Sequence, residues 1–239
     1  MRVLPILDSN NSHQNSQMFS SRIISSQKRM DDFTHGVLNS VKKNRAINQD
    51  TFAEELRTIG ESFRGQNQEN LMNKGAKRLA ETLVSLKQGQ LAGMVYSFLI
   101  KYNKGNTKVI EEFATNALAI AKRVDDPIHV MARANDLKEI YKIRAPRSEK
   151  HIKVLYEEKR ALVRIINDYD ALNKRVSRRD MKPKEGYTEK LAAVKMEIGQ
   201  VLFEKDNKLA RKELQEALEM YKILGEGKNS EKIQKLLSK

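Results

Sequence analysis

From about residue 27 onward, the apolar residues of this chain return every three or four positions, and that regularity restricts the chain to helices. Met30, Phe33, Val37 and Val41 are spaced by three, four and four. Phe52, Leu56, Ile59 and Phe63 are spaced by four, three and four, and Met72, Ala76, Leu79, Leu83 and Leu86 continue the pattern. Three to four residues complete one helical turn, so each set draws one apolar stripe along a helix. The composition agrees with this. With 11 Gly, 4 Pro and 6% aromatic residues, the chain has few of the turns and few of the bulky side chains that a β-rich fold requires. It is instead supplied with Leu, Ala, Glu, Lys, Arg and Gln, which lose least on entering a helix. The fold class predicted is all-α.

Punctuation divides the periodic region into elements. Gly65 and Gly89 are candidate helix stops. Residues 91–102 predict a helix that ends near Asn103, Gly105 and Asn106, and residues 109–124 predict the next. Asp125, Asp126 and Pro127 form a sharp boundary, at which an Asp can cap the following helix and Pro127 fits its first turn. That helix bears Ile128, Met131, Leu137, Ile140 and Tyr141 and ends before Pro146. A long helix is predicted over 148–176, then a basic loop over 174–186 containing Pro183, helices over 188–205 and 207–224, and a short closing helix with Ile233, Leu236 and Leu237. Residues 8–26 are dominated by Ser, Asn and Gln, which bury too little apolar area to offset ordering entropy. The expected organisation is a disordered tail over 1–25, N-terminal helices over 26–90 and a helical repeat domain over 91–239.

One phrase recurs. Ala117-Leu118-Ala119-Ile120-Ala121-Lys122 matches Ala217-Leu218-Glu219-Met220-Tyr221-Lys222, with Ala161-Leu162-Val163-Arg164-Ile165-Ile166 as a looser copy. A small Ala lets a neighbouring helix approach, and Leu and Ile fill the seam. The intervals of 44 and 56 residues are unequal, and an unrelated helical bundle is the alternative architecture. Near the C-terminus, Ile198-Gly199, Leu202, a break over 205–208, then Ala210, Leu214 and Ala217 resemble a tetratricopeptide repeat. Residues 106–144 are similar to the longer form of that repeat, with Ala114 and Ala117 at small positions followed by Leu137 and Tyr141. The pattern departs from the family at Lys138, where Gly is expected, and in the length of the helix after 148. The resemblance implies helical hairpins stacked into a short solenoid whose inner face binds peptide segments or helices. The partner-contact positions it implies are Asn135, Lys138, Lys195 and Gln200. The Lys and Asn that clamp a partner's terminal carboxylate in some members are not matched: Met196 and Gln200 flank Gly199, and Asn135 and Glu139 flank Lys138.

Catalytic chemistry finds little purchase. With no cysteine, disulfides, thiolate metal sites and thiol nucleophiles are excluded, which fits a reducing compartment. The histidines are His13, His35, His129 and His151. Asp126 and His129 could pair as ligands, but a capping Asp beside an exposed His is the simpler account, since metal sites need three or more ligands. The stretch over 225–230 has a Gly-Lys pair without the upstream Gly or preceding strand of a phosphate loop. The doublets Glu111-Glu112 and Glu157-Glu158 point in different directions on a helix and cannot form acid/base pairs. No cofactor or metal is expected, and the chain reads as a non-enzymatic scaffold.

Net charge is +14, with 45 Lys and Arg against 31 Asp and Glu. Because the acids are mixed throughout, the excess reads first as solvated helix faces and second as attraction to an acidic partner. The densest run is Lys174, Arg175, Arg178, Arg179, Lys182 and Lys184, opposed only by Asp180. It is a solvated connection or, as the alternative function, a contact with nucleic-acid phosphates. No aromatic residue lies between Tyr169 and Tyr187 to stack bases. Ser177 sits in a basic context suited to a kinase. The best apolar run, over 91–100, is about half what a membrane-spanning helix needs. Pro5 interrupts the N-terminal apolar stretch over 3–7, so no secretory core is present. A protein or peptide partner and a cytoplasmic location are expected; the Ser-rich, acid-poor N-terminus leaves secretion or organelle targeting as the alternative.

Overall fold

The computed structural model describes residues 10–64, 68–175 and 182–238, excepting the side chains of 10–24 and 175. Among the described residues there are eleven helices and no strand. They are α1 (Asn10–Lys42), α2 (Gln49–Arg64), α3 (Glu69–Ser85), α4 (Gly89–Tyr102), α5 (Thr107–Arg123), α6 (Pro127–Arg144), α7 (Glu149–Asn167), α8 (Tyr169–Arg175), α9 (Lys184–Leu202), α10 (Asn207–Ile223) and α11 (Gly227–Leu237). No described helix is long and apolar enough to cross a membrane. The chain divides into two compact units between Phe113 and Ala114, inside α5. The boundary expected at residue 90 is therefore displaced, because α4 packs on α2 and α3 and belongs with them.

In the first unit, α3 and α4 form a hairpin, joined by α1 and α2. The predicted stripes are the core: Phe52, Leu56, Ile59 and Phe63 on α2 and Met72, Ala76, Leu79 and Leu83 on α3 are buried. The Phe33 and Phe52 rings meet at 5.3 Å between centroids. At Gly60 a Cβ would lie 2.6 Å from both Phe98 and Tyr102, so α2 and α4 meet at a distance only glycine permits. The helix α1 begins at Asn10, inside the segment expected to be a tail. Once the Met30 to Val41 stripe has nucleated a helix, each further residue adds a backbone bond at the cost of fixing only itself, and even Ser- and Asn-rich sequence can extend it.

In the second unit, α6 with α7 and α9 with α10 form consecutive hairpins; α7 packs on α9, and α11 closes against α10. The helices fall into two kinds. On α7 and α10, apolar and polar faces are clearly separated, and Lys208, Arg211, Gln215 and Glu219 mark the exposed side of α10. By contrast, α9 has no exposed residue from Lys190 to Phe203. The alanines of the recurring phrase, Ala117, Ala161 and Ala217, are all buried. The long helix expected over 148–176 is interrupted at Asp168, which separates α7 from α8. Asn167 and Asp168 offer the backbone side-chain partners that compete with helical bonding.

Helix ends explain most of the loops. Asp126 caps α6, accepting hydrogen bonds from the backbone N–H of Ile128 and His129 at 3.1 Å each, with Pro127 in the first turn. Ser148 caps α7 and Asp206 caps α10. Replacing Asp126 by Ala is expected to cost about 1 kcal/mol in urea denaturation, since two backbone donors lose their acceptor. The C-terminal stops differ from expectation. Gly89 opens α4 instead of ending α3, which stops through Lys87 at φ 59°. Gly65 lies outside the described residues.

Candidate functional site

Where α6, α7 and α9 meet, the second unit encloses a cluster of charged side chains. Glu158 of α7 is its centre and is 0% exposed. The Lys138 Nζ of α6 lies 3.1 Å from one of its oxygens and the Lys190 Nζ of α9 lies 3.2 Å from the other. Lys138 is itself buried, at 7% exposure, and reaches Glu197 of α9 at 3.9 Å. Lys142, one turn further along α6, also approaches Glu197, at 3.6 Å. Arg133 and Asp136 pair on α6 at 3.2 Å. Three cations (Arg133, Lys138 and Lys190) thus face three carboxylates (Asp136, Glu158 and Glu197), with exposed Lys142 and Glu139 at the margin. Isolated buried charges are costly and opposed ones in low dielectric attract strongly, so this balance is what lets the cluster exist.

His151, 2% exposed, borders the cluster. Its Nδ1 accepts the backbone N–H of Arg147 at 3.3 Å, and its Nε2 lies 3.7 Å from a Glu197 oxygen. The His151 imidazole, followed by Lys138 and Lys142, holds the Glu197 carboxyl below the usual carboxylate range against the opposing effect of burial. Burial pushes the Asp136 carboxyl up, and Arg133 and Lys190 only partly offset it. A lowered carboxylate contributes stability above its unfolded pKa and loses it as pH falls through the folded value. Replacing Glu197 by Gln is therefore expected to flatten the fall of thermal stability below about pH 4, the ordinary glutamate region. A melting-temperature series from pH 3 to 7 on both proteins checks this; an unchanged acid limb would refute it.

The same arrangement repeats one hairpin later. Lys195 of α9 is buried and pairs with Glu216 and, at 3.5 Å, with Glu213, both on α10. Lys159 of α7 pairs with Glu213 as well. Glu157, adjacent to Glu158, turns away from the cluster to Lys122 of α5 at 2.6 Å. The doublet therefore serves two separate pairs, as its helical geometry requires. Beside this second pair is a cleft of about 210 Å³ that includes Asp125, Asp126, Arg160 and Arg164 in its walls. Arg164 grips Asp125 with two guanidinium nitrogens and holds that carboxyl below its usual range, burial opposing.

Of the four partner-contact positions expected from sequence, Lys138 and Lys195 are turned into buried ion pairs, whereas Asn135 and Gln200 are half-buried on the inner helices. Of the expected basic loop, Lys174 and Arg175 belong to α8 and Lys184 opens α9. Lys174, Lys182 and Lys184 are exposed, while Arg178, Arg179 and Ser177 lie outside the described residues. His129 Nδ1 sits 2.7 Å from its own capping Asp126, and no group of three potential metal ligands occurs among the described residues. The sequence names Glu158 and His151 without a role and does not single out Asp136, Lys190 or Glu197. Glu158 and His151 stand where the apolar stripe of α7 would continue, which is their one local signal.

No protein-family model matches the chain. No curated relative matches it. Among solved structures, the crystal structure of BtubC (BKLC) from P. vanneervenii matches over 87% of this chain and 92% of that one, with 11% identity and a TM-score of 0.31. That similarity is too low to transfer a fold or a function.

Proposed function

We propose that the chain is a non-enzymatic protein-binding scaffold of tetratricopeptide-like type, working in the cytoplasm. The observation that supports this most is the succession of packed helices in the second unit, α6 on α7, α7 on α9 and α9 on α10. Ion pairs from Glu197 to Lys138 and Lys142 also link α9 to α6, and one from Lys159 to Glu213 links α7 to α10. In the proposed arrangement α6 and α9 form one layer and α7 and α10 the other. Stacked hairpins of this kind present one row of helices to a partner and need no movement to do so. Half-buried Asn135 and Gln200 on the α6–α9 layer are the positions from which contacts would be made. The test is photo-crosslinking from residues 135 and 200, compared with exposed position 219 on the outer layer. Crosslinks to one defined protein from the first two and none from the third support the proposal. Equal labelling from all three positions would count against it.

The exposed Lys174, Lys182 and Lys184 favour a second reading, contact with nucleic-acid phosphates. It requires affinity for RNA or DNA that falls steeply with salt and drops when these lysines are neutralised. Binding that is unchanged by the substitutions leaves these charges as a solvated surface.

A further inference from the structure

The first unit contains a cleft unconnected with the charge cluster. It lies between the α1–α2 connection and the α3–α4 turn and encloses about 360 Å³, within the range of pockets that hold small ligands or a few residues of a peptide. Its deeper wall is apolar: Leu91 is buried, and Val41 and Ile47 are half-buried. Its rim is made of exposed amides and one cation, with Asn44, Gln49 and Gln90 around Arg45. The Gln49 Nε2 donates to the Gln90 Oε1 at 3.2 Å across the cleft. That bond does not use the Gln49 amide oxygen or the Gln90 NH2, an acceptor and a donor such as a peptide backbone can answer. Gln88 is also in the wall, and its side chain is not spent on capping α4.

Charge identifies the occupant. The two chain segments that form the cleft, 41–49 and 86–91, contain Lys42, Lys43, Arg45 and Lys87 and not one carboxylate. Of these cations Arg45 itself lines the cleft, and the next carboxylate along the chain is Asp50, in the first turn of α2. We propose that this cleft binds an acidic peptide segment of a partner protein, with an apolar side chain seated on Val41, Ile47 and Leu91 and flanking carboxylates against Arg45 and the neighbouring lysines. An extended peptide is favoured over a nucleic acid because amides line the cleft beside Val41, Ile47 and Leu91 and no aromatic ring lines it for a base to stack on. The cleft is lined by first-unit residues alone, so it stands or falls independently of the function proposed above.

The test is fluorescence anisotropy with the full chain and a fluorescein-labelled nonapeptide of glutamates around a central leucine. Three further probes are the same peptide with lysine for glutamate, the same with serine for leucine, and a nine-nucleotide single-stranded DNA. Saturable binding of the acidic peptide is expected, weakened at least tenfold by Arg45→Glu and at least fivefold by serine in place of leucine. Arg45 is exposed, so that variant keeps its fold, and an unchanged circular-dichroism melt checks this. Ile47→Ser gives a second, uncharged reading on the apolar side of the cleft, with loss of the leucine-dependent part alone. The proposal is overturned if the acidic peptide does not bind, if Arg45→Glu binds it equally, or if the oligonucleotide binds tighter and displaces it, which would make the site a phosphate-binding one.

Discussion

Replacing Glu158 by Ala is expected to destabilise the second unit by about 3–5 kcal/mol, the range for removing one partner of a buried ion pair. The magnitude follows from what remains. Lys138, 7% exposed, loses the carboxylate 3.1 Å away and is left beside Glu197 at 3.9 Å and exposed Glu139 at 3.8 Å. Lys190, with 30% of its side chain exposed, can turn outward, so the cost falls mainly on Lys138. Glu158→Ala should therefore melt roughly 10 °C or more below the parent, taking a few degrees per kcal/mol for a domain of this size. The companion variant separates charge from packing. Lys138→Met combined with Glu158→Leu removes both ions and fills their volume, and is expected to recover most of the loss. A Glu158→Ala protein within about 1 kcal/mol of the parent would show that the site admits water and that the cluster is not buried in solution. If the double variant instead fell further than the single one, the ions would be specifying the hairpin geometry itself.

That cluster is also where the sequence is hardest to read, and the reason is physical. Apolar periodicity reports a helix with one wet and one dry side, and α2, α3, α7 and α10 are of that kind; their stripes predicted both the elements and the buried residues. The inner helices α6 and α9 are covered on most sides, so apolar residues are spread around them and the stripe vanishes. Lys138 and Lys195 then look like surface residues, since a lysine's partner, the property that permits its burial, sits on a different helix. The Lys138–Glu158 pair is separated by 20 positions and the Lys159–Glu213 pair by 54, and neither distance has a local signature.

Helix ends were legible at one side and opaque at the other for a related reason. N-terminal caps announce themselves as Asp or Ser before a helix, and Asp126 was read that way. The expected C-terminal signal is glycine, because the capping residue has positive φ. Among the described residues Gly225 is the glycine that supplies it. Asn44, Lys87 and Asp125 adopt φ of 51°, 59° and 59°, and the backbone bonds from Arg45 to Ser40, Gln88 to Leu83 and Asp126 to Ala121 close the same terminal loop that Glu226 closes onto Tyr221. Asn44 and Asp125 are of the types whose short polar side chains tolerate this conformation, whereas for Lys87 it costs roughly 1–2 kcal/mol.

Gly199 was legible, and it supports the other large prediction. A Cβ built there would lie 2.5 Å from Leu214 Cγ, 2.8 Å from Leu214 Cδ2 and 3.1 Å from the Ala210 carbonyl oxygen. Leu214 and Ala210 are both fully buried, so neither can yield without moving α10. Alanine at 199 gains about 1 kcal/mol in helix propensity against an overpacking cost of about 1–3 kcal/mol, and a modest net loss is expected. Valine adds two methyl groups to the same space and should cost about 3 kcal/mol, separating α9 from α10. The discriminating measurement is a double-mutant cycle with Leu214→Ala. Alone that substitution removes a fully buried leucine, at about 2–5 kcal/mol. Combined with Gly199→Val it opens the space the new side chain needs, so the double variant should be more stable than the sum of the singles by at least about 1 kcal/mol. Simple additivity would mean that the two helices do not meet at Gly199, and the close seam on which the α9–α10 hairpin rests would have to be abandoned.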